Sequence, residues 1–247
     1  MKHKLKVLLG FLIVTIPSFV MAQAPLAVNF DNLVKPGAVS NSVSLLLSMS
    51  MVTLVPFLLM STTCFLRIVI VLSMIRQAIG TQQAPPNMVI VSLAMFLSIF
   101  VMTPTFNQVN VTAIQPYQEG RISQKEAIAV GIKPFKQFML KFAREKDIAL
   151  FLEFSQVQYS PQNPDSLPIY VLIPAFMISE LKTAFQIGFL LFIPFVVIDL
   201  VVSNILLSLG MFMLSPAMIS LPFKILLFVL TDGWNLIIQG LLLSFKR

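Results

Sequence analysis

The chain has 247 residues, 57% of them hydrophobic and 11% charged, with a formal net charge of +7. Soluble domains run nearer one quarter charged, so the composition excludes an ordinary soluble domain and points to an integral membrane protein of several helices. The basic excess is small and spread along the chain, which does not fit nucleic-acid binding.

Residues 1–22 carry a basic start (Lys2, Lys4, Lys6), an apolar run from Val7 to Val20 and a small-residue cleavage site at Val20-Met21-Ala22. That is the pattern of a cleavable signal peptide, the run being short for a hydrocarbon core of ~30 Å. Cleavage before Gln23 leaves 14 basic against 10 acidic residues, a net charge of +4. It also removes His3, the only histidine. Cys64 is the only cysteine, so no internal disulfide is possible. Residues 23–42, with Pro25, Pro36 and Gly37, read as a loosely ordered exported arm.

Residues 43–104 read as a first helical hairpin. Val43–Ile75 as one helix would be ~50 Å long, so it extends beyond the hydrocarbon core or bends at Pro56. Gly80 is expected to stop it and Pro85-Pro86 to start the next helix, with Arg76 at the tip. That second helix, Met88–Thr103, is expected to end at Pro104. Residues 105–166 hold most of the mature chain's charge. Ile122, Ala127, Ile128, Phe135, Phe138, Met139 and Phe142 recur at near-helical spacing, and Ser123 with Glu126 fits a capping box. This is an amphipathic helical insertion facing water, its apolar stripe packing on itself or on a neighbouring subunit. Residues 167–247 read as a second hairpin. Ile169 to Leu214 would span ~69 Å as one helix and must bend, break or protrude. The run Ala217–Phe245 then returns, with Asp232 beside a helix end. The fold class is therefore an all-α membrane protein: two long kinked helical hairpins with an amphipathic extracytoplasmic insertion.

Four spans after a cleaved signal put Arg76 inside, the insertion outside, the turn near Met211 inside and Lys246-Arg247 outside. The last two loops run against the positive-inside rule, so the second hairpin is not expected to be an ordinary pair of spans. Without a histidine, Ser–His and Cys–His nucleophilic sites and imidazole metal sites are excluded. No Gly-rich phosphate loop occurs. No catalytic, cofactor or metal residue is assigned, and an enzyme is not expected.

What remains is buried charge and a methionine-rich turn. Glu180 and Lys182 are two apart, about 200° around a helix, so they face different neighbours. Ionisable residues inside apolar segments default to functional hypotheses; Glu180 is expected to meet Lys224, preferably across a subunit boundary. The alternative leaves Glu180 hydrated and Lys224 reaching a headgroup. Arg67, Lys182 and Asp199 are the further charges placed in apolar segments. Met211-Phe212-Met213 lies between Gly210 and Pro216, where a helix should end. Apolar side chains at a turn need something to bury them. Several copies around an axis would make them a soft plug, since Met is flexible and polarizable; a hairpin tip in contact with lipid or a partner is the alternative.

Several stretches resemble the FliP family, the core export-gate subunits of flagellar type III secretion. The first hairpin carries Arg67-Ile68-Val69-Ile70-Val71-Leu72-Ser73, Arg76-Gln77-Ala78-Ile79-Gly80-Thr81-Gln82-Gln83 and Pro85-Pro86-Asn87. The second carries Ser179-Glu180-Leu181-Lys182-Thr183-Ala184-Phe185, Ile219-Ser220-Leu221-Pro222-Phe223-Lys224 and Asp232-Gly233-Trp234. The resemblance implies a ring of five copies joined by FliQ and FliR subunits and other export-apparatus membrane proteins. Such a helical, cone-like assembly sits in the basal body at the bacterial inner membrane and passes unfolded polypeptides. The insertion and the mature N-terminus would lie on the extracytoplasmic side. The resemblance also maps a pore gasket onto Met211, Phe212 and Met213, with Phe212 where the family usually has Met, and an intersubunit ionic contact onto Glu180 and Lys224. Val202-Ser203-Asn204-Ile205-Leu206-Leu207 and Leu214-Ser215-Pro216 look more like the injectisome branch, SctR, whereas the signal peptide and insertion look flagellar. An injectisome gate subunit and a structural scaffold that nucleates the export apparatus are the alternative readings.

Overall fold

The computed structural model describes residues 50, 53–54, 56–81, 83–155 and 166–246. The signal peptide and exported arm expected over residues 1–42 lie outside the described residues. The unit that begins at Thr53 is all helical among the described residues. Its helices are α1 (Pro56–Thr62), α2 (Phe65–Ile79), α3 (Asn87–Gln118), α4 (Gln124–Phe142), α5 (Glu145–Ser155), α6 (Ile169–Ser208), α7 (Pro216–Leu230) and α8 (Gly233–Ser244). Two of them, α3 and α6, are long and apolar enough to cross a membrane; the bent pairs α1/α2 and α7/α8 raise the number to four if each is one span.

α1 and α2 meet at 82°, and the break falls at Thr63-Cys64. The hydroxyls of Ser61 and Thr62 donate to Leu58 O at 3.0 and 2.7 Å, and Thr63 Oγ1 donates to Leu59 O at 2.7 Å. Thr63 Oγ1 also accepts from the Phe65 N–H at 3.3 Å, at the start of α2. Three successive hydroxyls thus answer backbone groups that a helix end in an apolar setting leaves open. α2 ends as expected, with Gly80 at φ 87° and its N–H donating to Gln77 O; Pro86 precedes α3. At the tip Arg76 Nη1 donates to Asn87 Oδ1 and to Pro85 O.

Pro104 does not end the second helix. α3 runs through it and, after a π-helical turn at Asn110–Ile114, on to Gln118. One proline removes one helical donor, and its neighbour Thr103 donates to Ile99 O at 2.9 Å; neither breaks so long an apolar helix. The π turn meets α4 where Gly131 lies close to Ala113 and Val109. A Cβ at 131 would come within 3.3 Å of the Ala113 Cβ.

α4 starts on the expected capping box. Part of its stripe packs on other helices of its own chain. Met139 is buried in one cluster with Ile148 of α5 and with Leu172, Ala175 and Phe176 of α6. Phe138 meets Phe176 at 6.0 Å between ring centroids, and Phe135 meets Phe106 of α3 at 6.0 Å. The charged insertion is therefore fastened to the start of α6 rather than hanging from it. Residues 156–165 lie outside the described residues.

α2 is the hub of the larger core. Ile68, Val71, Leu72 and Ile75 are buried at helical spacing against α3 and α6. Gly188 of α6 admits α2 closely, since a Cβ there would lie 2.3 Å from Met74 Sδ and 3.2 Å from Met74 Cβ. α6 is one continuous helix of 40 residues, about 60 Å long, through both Pro174 and Pro194. The returning run is broken at Thr231-Asp232, where α7 and α8 meet at 63° and Asp232 adopts φ 50°.

Two outcomes are expected. Gly188→Ala drives its methyl into Met74 and destabilises the protein by about 1–3 kcal/mol; Met74→Ala in the same chain restores it. Thermal unfolding in detergent measures this, and an unchanged single variant would remove the close-approach argument. The second concerns Glu126, which accepts from the Ser123 N–H at 2.9 Å and from its hydroxyl at 3.0 Å. These bonds hold its carboxyl below the usual carboxylate range. The folded value is the lowered one, so the contribution is full above the unfolded carboxylate value of about 4.3 and is lost as pH falls through the folded value. Amide exchange in the first turn of α4, corrected for intrinsic rate, should accelerate over that acid window; Glu126→Gln should show no such acceleration. Equal pH dependence in both proteins would count against the box.

Candidate functional site

α6 carries two carboxylates, Glu180 and Asp199, about 28 Å apart along its axis. Each holds a cation brought by another helix. Arg67 of α2 is 3% exposed and Glu180 is 0% exposed. Arg67 Nε–H donates to Glu180 Oε2 at 2.9 Å, and Nη2 donates to Oε1. Two parallel bonds to one carboxylate are the strong form of this contact. The third nitrogen, Nη1, donates to Ser244 Oγ at 3.0 Å and Ser244 O at 3.4 Å. Ser244 is the last residue of α8, so the guanidinium satisfies a carbonyl left open by the helix end. Phe245 covers one side of it, with 4.0 Å from Cζ to the ring centroid, and Phe142 stands at 5.4 Å.

The second pair repeats the plan. Lys224 of α7, 6% exposed, donates from Nζ to Asp199 Oδ2 at 2.6 Å. Ser220, one turn earlier, donates to Asp199 Oδ1. Lys224 Nζ also reaches Ala78 O at 3.4 Å, beside the C-terminus of α2. The Asp199 side chain stays 38% exposed.

Within one chain, then, Glu180 and Lys224 do not meet. Glu180 is committed to Arg67, one of the further charges that the sequence places in apolar segments. Lys224 is committed to Asp199. Lys182 is exposed, next to Arg144 and Lys146 of the α4–α5 junction. A third polar knot had no place in the sequence reading. Arg144 Nη2 lies 2.7 Å from Asp147 Oδ2, and Ser179 donates to that same oxygen at 2.6 Å. The i,i+4 spacing of Ser220 and Lys224, which share Asp199, and the i,i+3 spacing of Arg144 and Asp147, which pair, are the sequence signals of these contacts.

The methionine-rich turn joins α6 to α7. The Gly210 N–H donates to Leu207 O at 3.1 Å and the Met211 N–H to Leu206 O at 2.9 Å. With Gly210 at φ 73° this is a Schellman ending, which needs a residue free of the left-handed penalty. Pro216 starts α7 in the first turn, where its missing N–H costs nothing. Between these fixed ends Met211 is 46%, Phe212 76% and Met213 100% exposed.

Long apolar helices, charges neutralised in pairs inside them and a rigid turn that presents three large apolar side chains define a helical membrane protein with surface left for other molecules. The chain is similar to the flagellar biosynthetic protein FliP of Bacillus subtilis (strain 168), 51% identical over 210 residues that cover 85% of this chain and 95% of that one. It is 47% identical to the same-named protein of Aquifex aeolicus (strain VF5) over 232 residues, 92% and 95% of the two chains. With that of Caulobacter vibrioides it shares 48% over 231 residues, 94% and 86%. The FliP family model matches residues 47–241. The chain belongs to the FliP family.

The buried pair makes a double prediction. Glu180→Ala leaves Arg67 buried without a counter-charge and should cost about 3–5 kcal/mol. Arg67→Leu with Glu180→Leu should recover most of that, because a packed apolar pair replaces a buried ionic one. Thermal unfolding of the detergent-extracted protein reads both; a Glu180→Ala protein as stable as the parent would overturn the assignment.

Proposed function

We propose that this chain is a membrane-embedded subunit of the flagellar protein-export gate, a conduit for unfolded polypeptides rather than a catalyst. Family membership over residues 47–241 supports the flagellar setting. The observation that carries the gate reading is Met213, wholly exposed at a turn whose backbone is fixed on both sides. A flexible chain end can hide apolar groups, but a Schellman turn followed by Pro216 holds them out. Five copies around an axis, closed by FliQ- and FliR-type subunits, would bring Met211, Phe212 and Met213 together as a seal. The two methionines conform to whatever passes, and Phe212 makes the ring stiffer than a third methionine would.

In this reading the assembly occupies the inner membrane after removal of residues 1–22, with the charged insertion on the extracytoplasmic side. Of the two charges first assigned to the subunit boundary, Glu180 is sealed within its own chain. Lys224 and its half-open partner Asp199 are the pair that reaches a neighbouring copy. The scaffold reading shares the assembly but gives the turn no role.

Replacing Met211, Phe212 and Met213 by Ala should leave the assembled complex at its parental mass while making the cell envelope leaky to small ions. Ion flux in cells and the mass of the extracted complex are the two readouts. An intact complex with no leak would favour the scaffold and defeat the seal.

A further inference from the structure

The start of α5 lies against the first third of α6. The Arg144 N–H donates to Ser179 Oγ at 2.9 Å, while Asp147 is taken up by Arg144 and Ser179. Lys182 lies one turn after Ser179 on α6, so this docking brings Lys146 of α5 beside it, with Arg144 and the Asp147 carboxylate nearby. Both lysines are exposed. Among the described residues neither belongs to an ion pair. Arg144 Nε is buried and has no hydrogen-bond partner. The N-terminal end of α5 adds a partial positive charge, against which its first turn sets Glu145 and Asp147, the latter already held by Arg144 and Ser179. Two ammoniums in contact repel, and an anion between them turns that repulsion into attraction.

The same face of α6 continues from Lys182 through Phe185, Phe189 and Ile193, at offsets of three, seven and eleven residues. These side chains are 56%, 66% and 45% exposed. Positive charge therefore stands at the head of an open apolar strip, where the charged insertion meets a membrane-spanning helix. A carboxylate from a protein partner would match the cations alone. A phosphate carried on acyl chains matches the cations and the strip together.

We propose that Lys146 and Lys182, with Arg144 beside them, hold the phosphate of an anionic phospholipid whose acyl chains lie along Phe185, Phe189 and Ile193. The site is independent of the export reading, since it uses neither the methionine-rich turn nor the ion pairs of Glu180 and Asp199.

The test is native mass spectrometry of the full chain in neutral detergent, titrated with phosphatidylglycerol or phosphatidylcholine. The parent should prefer phosphatidylglycerol, and Lys146→Gln with Lys182→Gln should lower that affinity about thirtyfold, the effect of two basic groups at an anionic surface. The charge-retaining variant Lys146→Arg with Lys182→Arg should keep the preference, which separates lost charge from lost folding. Phe185→Ala with Phe189→Ala should weaken both lipids. Equal binding of the two lipids by the parent, or an undiminished preference in the Gln variant, would overturn the proposal. So would inorganic phosphate displacing phosphatidylglycerol at equal concentration, which would assign the cations to a free anion. A Gln variant that loses a protein partner while keeping its lipid preference would likewise transfer them to a partner's carboxylate.

Discussion

Glu180 has no exposed surface, and a carboxylate so placed stays ionised only beside a cation. The Arg67–Glu180 contact therefore decides where α6 can stand relative to α2: only the rotation and height that bring the two side chains together are allowed. The guanidinium then decides a third position. Two of its nitrogens serve Glu180, the remaining one takes the end of α8, and its faces are left to Phe245 and Phe142. A lysine offers no planar fork for a carboxylate and no flat face for a ring, so Arg67 is not interchangeable with one. The α2 core of Ile68, Val71, Leu72 and Ile75, and the close approach at Gly188, follow from that placement.

The second pair applies the same rule at the other end of α6. Lys224 joins Asp199 to a carbonyl beside the end of α2, as Arg67 joins Glu180 to the carbonyl at the end of α8. A helix in an apolar medium satisfies its interior backbone internally, but its last carbonyls have no intrahelical donor. A buried cation answers one of those carbonyls and one carboxylate at once. The charges of these two pairs are thus spent on helix ends and on the angle between helices. That explains how an 11%-charged sequence still specifies one packing of helices that share so much apolar surface.

Much of the helix punctuation was legible because its causes are local. Gly80, Pro86, the Ser123–Glu126 box and the break at Asp232 all lie where turn and cap chemistry put them. The 82° bend at Thr63-Cys64 has no proline to announce it; the hydroxyls of Ser61, Thr62 and Thr63 do that work through the backbone. Pro104 was read as a stop, although one missing donor is a small defect in a helix of 32 residues. The π turn depends on what packs against it, here Gly131 of α4, and has no signature of its own. Pairing between helices is the least local of these features. Spacing within a helix says which side chains share a face, but it does not say which helix lies opposite. Glu180 and Lys224 were each recognised as buried charges, while their partners were set by α2 and by the far half of α6.

Buried ions and exposed apolar groups belong together in this molecule. A soluble domain puts its apolar groups inside and its charges out. Here Arg67, Glu180 and Lys224 are inside, while Phe189, Leu200, Phe212 and Met213 are outside. For most of α6 the surrounding lipid or neighbouring helices account for that inversion, since a spanning helix gains nothing by hiding apolar side chains from an apolar medium. The turn at Met211–Met213 is a different case. It is the end of a helix, its backbone is held by two hydrogen bonds and a proline, and a loop of this kind would ordinarily carry polar residues. Keeping such a turn rigid and greasy makes sense only where apolar surface is waiting for it, and the geometry that presents Met213 entirely free of its own chain leaves that surface to be supplied by other molecules.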